Sequence, residues 1–203
     1  MRFTVLPFLK QQGINQVDWA IAPRLQTSDT ESWNQMIAGI PIRLFYPIPS
    51  VKPQAIAEFT PVYRALRKQI EAHHGIALHL SSRQKIQLGG MTAQMISNDP
   101  AVLQIQTYQQ TWLFLNRGYG NRDRALSRLP QADVLWWSGE TLSSELLERV
   151  QPKVAIASAR SIPVETQTWF KAHPAITFYQ TGEDGAIQWT PQQGFKATLE
   201  ARL

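Results

Sequence analysis

At 203 residues and 43% hydrophobic, the chain is too apolar for a disordered segment and long enough for one sizeable core or two small ones. It has no cysteine, which excludes disulfides and thiolate metal sites, so any metal would rest on four histidines and the carboxylates. The formal charge of +5 and pI near 9.7 favour anionic partners, nucleic acid among them, although charge alone is weak support.

No apolar run reaches the roughly eighteen residues that a membrane helix needs, and Pro7 breaks the short Phe3–Phe8 stretch where a signal sequence would be apolar. The chain as written is expected to be soluble, cytoplasmic by default.

In chain order, Val17–Ala22 and Ile42–Tyr46 read as short buried strands around a helix near Glu31–Ala38. Phe59, Val62, Tyr63, Leu66 and Ile70 fall on one stripe of a helix that ends near His74-Gly75, leaving Arg64, Arg67 and Lys68 mostly off the stripe. From about Lys85 to Asn116 the period changes to two, which predicts an antiparallel meander.

Alternation of helix and strand then resumes. The pattern predicts a helix near Arg122–Arg128, strand Val134–Trp137, helix Leu142–Val150 capped by Thr141, strand Val154–Ala157, a helix opening at Pro163, and strand Ile176–Tyr179. Gly182-Glu183-Asp184-Gly185 reads as a hairpin turn into Ala186–Trp189. A meander flanked by αβ units implies a layered α/β arrangement whose strand order the pattern does not give.

Several phrases occur in the order of a known domain. They are Thr4-Val5-Leu6-Pro7-Phe8-Leu9 before Gly13–Asp18, Asn98-Asp99, Trp112–Leu115, and Leu129–Leu135. More specific are Leu146–Ser158, a helix-strand unit, and Thr181 with Asp184-Gly185-Ala186-Ile187. Together they resemble the C-terminal metallo-β-lactamase-like domain of the ComEC family of competence (DNA-uptake) proteins.

That resemblance implies an αββα sandwich of the metallo-β-lactamase type, a single domain over 1–203. Full-length members are membrane-anchored and place a membrane domain and two β-strands before the helix matched at Val5–Leu9. The sandwich is therefore expected to be incomplete at its N-terminus, in a separate soluble piece or a shortened gene product.

Active members hold two metal ions on histidines and aspartates at strand ends, which lower the pKa of a bridging water. The resemblance places the first cluster, His-x-His-x-Asp-His, where this chain has Pro23, Leu25, Thr27 and Ser28. Arg117 stands at the bridging aspartate's position, Trp136-Trp137-Ser138-Gly139-Glu140 replaces the His-His-Gly segment, and Ser161-Ile162 replaces the final histidine. No metal, no cofactor and no catalytic residue is expected.

His73-His74-Gly75 spells the family motif at a different place, and reads as a helix end with Gly75 as left-handed cap. A weak site of His73, His74 and His79 is the rival reading; His173 is expected to cap its own helix. Asp18, Asp29 and Glu31 read as helix-start carboxylates that serve the macrodipole in preference to acid–base catalysts, and one of Trp136 and Trp137 is expected to be the more exposed.

Arg117, Tyr119, Arg122, Arg124 and Arg128 form the densest basic stretch and are the candidate nucleic-acid contacts, against the plainer reading of a solvated surface. The leading functional expectation is a non-catalytic module that contacts DNA without sequence preference, or a partner such as a membrane competence protein. A metal-dependent phosphodiesterase with a relocated site and a truncated structural remnant are the alternatives.

Overall fold

The computed structural model describes residues 5–22, 30–47, 53–78, 84–98, 101–107, 110–116 and 129–199. The chain divides into two compact units, Met1–Ser82 and Arg83–Leu203.

In the first unit, helix α1 (Val5–Gln11) precedes strand β1 (Val17–Ala22), helix α2 (Thr30–Gly39), strand β2 (Ile42–Pro47), helix α3 (Pro53–Ala72) and the short strand β3 (Ile76–Ala77). The strands form a parallel sheet in the order β1-β2-β3, which leaves β1 at an edge among the described residues. Val62, Leu66 and Ile70, the described core of the predicted stripe, pack with Ile37, Ile42 and Phe45 in one buried cluster.

The end of α3 corrects the expected cap. His74, not Gly75, takes the left-handed conformation, with φ 63°. The Gly75 N–H donates to the Ile70 carbonyl (2.9 Å) and the His74 N–H to that of Glu71 (3.1 Å), a Schellman pattern. Gly75 is required for another reason: a Cβ there would lie 2.1 Å from the Ile42 carbonyl oxygen.

The second unit begins with the predicted meander. Strands β4 (Lys85–Leu88), β5 (Met91–Asn98), β6 (Ala101–Thr107) and β7 (Gln110–Leu115) pair antiparallel in succession, with a register shift in β5 between Met95 and Ser97. From β7 onward the direction changes. Strands β8 (Val134–Trp137), β9 (Val154–Ala157) and β10 (Thr177–Gln180) add in parallel, giving a seven-stranded sheet in the order β10-β9-β8-β7-β6-β5-β4.

Helices α4 (Ser144–Val150) and α5 (Val164–Ala172) are the crossovers between the parallel strands. Leu146, Leu147, Val150 and Phe170 cover one sheet face together with Leu113, Leu115, Leu135 and Trp137. The cap of α4 is Ser143 and not Thr141: its hydroxyl oxygen accepts from the Leu146 N–H at 3.2 Å, and the helix opens two residues later than expected. Pro163 flanks α5 as its N-cap, and His173 ends it, with its Nδ1 2.7 Å from the Trp169 carbonyl oxygen and its ring stacked 3.8 Å from that indole.

The segment expected as a hairpin turn is instead a single helical turn, α6 (Thr181–Asp184), closed by Gly185 at φ 73°. The Asp184 carboxylate accepts from the Gln180 N–H at 2.7 Å, and such a local bond competes with a hairpin. The hairpin itself comes later, as strands β11 (Ile187–Thr190) and β12 (Gly194–Ala197).

The amino-terminal edge of the parallel strands is tied by Asp133. Its carboxylate accepts from the Thr111 N–H (2.9 Å) and pairs with Lys153 (2.8 Å), while its carbonyl accepts from the backbone of Lys153 (2.9 Å) and Val154 (3.0 Å). Three strands thus meet on one residue. The hydrogen bond from the Lys153 ammonium, followed by that from the Thr111 amide, holds the Asp133 carboxyl below the usual carboxylate range.

Two predictions follow from these contacts. In denaturant melts, His74→Gly should stabilise the chain by about 1 kcal/mol by relieving the left-handed conformation. Gly75→Ala should destabilise it by about 1–3 kcal/mol through the clash on β2. Equal and small effects would contradict the division of roles.

Because the folded pKa of Asp133 is lowered, its contribution is complete above the unfolded value of about 4 and is lost as pH falls through the folded value. Asp133→Asn should therefore cost on the order of 1 kcal/mol at neutral pH and flatten the fall in stability below about pH 4. An unchanged acid limb in pH-dependent melts would remove this role.

Candidate functional site

The parallel strands β7 to β10 of the second unit end at the same edge of their sheet, where ligands of open α/β sheets commonly bind. Each strand carries apolar residues up to that edge and a neutral polar residue just beyond. Asn116 follows β7, Ser138 follows β8, Ser158 follows β9, and Gln180 closes β10.

The loops at this edge are interlocked. Gly139 has φ 91°, and a Cβ on it would lie 2.1 Å from that of Ala159 in the loop after β9. From the other side, after β10, Gly182 presses on that same loop, with its virtual Cβ 2.5 Å from the Arg160 Cα, and donates its N–H to the Ala159 carbonyl at 3.0 Å. The Gln180 carboxamide donates to the Arg160 carbonyl (2.9 Å), and the Trp137 indole to that of Glu140 (3.0 Å).

Among the described residues at this edge, two polar atoms have no partner. Asn116 Oδ1 and Ser138 Oγ are both shielded from solvent and make no hydrogen bond. Sequence patterning missed them, although each is the first polar residue after an uninterrupted apolar run, Trp112–Leu115 and Val134–Trp137.

Trp136 and Trp137 point to opposite faces as extended backbone requires. Trp137 is fully buried and stacks 5.7 Å from Phe170, while Trp136 is partly exposed and lies 5.8 Å from Phe114 on the other face. That second face is also covered by the β11–β12 hairpin, whose Trp189 and Phe195 lie 5.6 Å and 5.3 Å from Trp112.

The sequence-based basic candidates Arg117, Tyr119, Arg122, Arg124 and Arg128 lie outside the described residues, as do Pro23, Leu25, Thr27, Ser28, Asp29 and His79. His73 and His74 are exposed in the turn after α3. Asp18 lies on the exposed side of β1, 3.8 Å from Arg43, and Glu31 is in the first turn of α2, where it accepts from Gln35 at 3.1 Å. Neither carboxylate is placed for acid–base chemistry.

Among the described residues no three of His, Asp and Glu come together. Serine and asparagine are poor ligands beside imidazole and carboxylate, so the described strand-end donors do not fit a zinc or dinuclear centre. No described helix is long and apolar enough to cross a membrane.

No protein-family model and no curated protein matches the sequence. Among solved structures the chain is similar to a variant of the CmlA β-hydroxylase, with a TM-score of 0.57 at 8% identity over 82% of this chain and 43% of that one. The likeness is one of fold. The chain spans less than half of CmlA's length.

Further similarities are to the metallo-β-lactamase fold protein YhfI from Bacillus subtilis (TM-score 0.42, 9% identity, 80% of this chain and 83% of that one) and to Zn(2+)-bound PqqB from Methylobacterium extorquens (0.39, 12%, 72% and 67%). The mixed α/β class read from the sequence is the one the chain adopts, and metallo-β-lactamase fold proteins are among its structural neighbours.

The interlocked edge carries a prediction of its own. Gly139→Ala should cost on the order of 3 kcal/mol, part from the positive φ and part from the contact with Ala159. Adding Ala159→Gly should recover only the contact part, as read by denaturant midpoints. Full recovery, or none, would show that one of the two causes is absent.

Proposed function

We propose that this chain is a non-catalytic metallo-β-lactamase-like domain over residues 1–203, related to the ComEC family of DNA-uptake proteins, that holds nucleic acid without sequence preference. The observation that carries the non-catalytic part is the chemistry of the strand-end row. Asn116, Ser138 and Ser158 are neutral, and close loop packing at Gly139 and Gly182 fixes that edge without metal ligands. The replacements at Pro23, Leu25, Thr27, Ser28 and Arg117 in the sequence support the same reading.

For the nucleic-acid part the support is charge. Arg117, Arg122, Arg124 and Arg128 gather in twelve residues of a chain with net charge +5. Guanidinium groups hold phosphate by paired hydrogen bonds and activate no water. Binding by such groups is independent of base sequence and falls with salt.

The purified chain is expected to carry no stoichiometric zinc or manganese and to hydrolyse neither phosphodiesters nor β-lactams. About one transition metal per chain, lost with activity on chelation, would favour instead a hydrolase with a relocated site. In fluorescence-anisotropy titrations of labelled DNA across a salt series, the log–log slope should be roughly three or four. Arg117→Ala with Arg124→Ala should lower it by about two.

Arg64→Ala with Arg67→Ala is the control, since Arg67 already pairs with Glu71 at 2.7 Å. No binding at low salt, or equal losses in both double variants, would leave the basic stretch a solvated surface.

A further inference from the structure

We draw no further inference here: the strongest candidate, the open groove in the second unit between Leu129–Gln131 and the outer face of α4, presents Glu145 and Glu148 beside Arg149 as an exposed acidic cluster, and no second observation in the structure points to a ligand for it.

Discussion

Burial of β7 and β8 on both faces is the constraint on which the second unit depends. Leu113, Leu115, Leu135 and Trp137 enter one core beneath α4 and α5, while Trp112, Phe114, Val134 and Trp136 enter the other. A strand apolar on both sides reads as a continuous apolar run and must be covered on both sides. Its polar chemistry can appear only at its ends, and here it does so at both: Asp133 and Thr111 at one edge, Asn116 and Ser138 at the other.

The two edges are held by different means. At the amino-terminal edge every polar group of Asp133 is engaged, and three strands are fixed in register by one carboxylate and one carbonyl. At the carboxyl edge the backbone is equally fixed, through Gly139 against Ala159 and Gly182 against Arg160, yet two side-chain atoms are left unsatisfied.

Much of this architecture was legible in the sequence because period and length are local properties. The meander from Lys85 to Asn116, the αβ units after Val134 and the stripe of Val62, Leu66 and Ile70 all appear where periodicity placed them. The errors are at termini, where one side chain decides. Ser143 outcompeted Thr141 because its hydroxyl lies one turn from the Leu146 amide, and His74 accepted a left-handed backbone because a close approach to β2 reserved Gly75. The turn at Gly182–Gly185 became helical through a bond from the Gln180 amide to Asp184 that no spacing rule anticipates.

The site was less legible than the fold for a different reason. A motif search looks for residues that act, such as histidine, aspartate and arginine, whereas the burial of Asn116 Oδ1 and Ser138 Oγ without a partner is not written in residue type. That property belongs to the packing, since it requires neighbouring strands in register, covered faces and closely set loops.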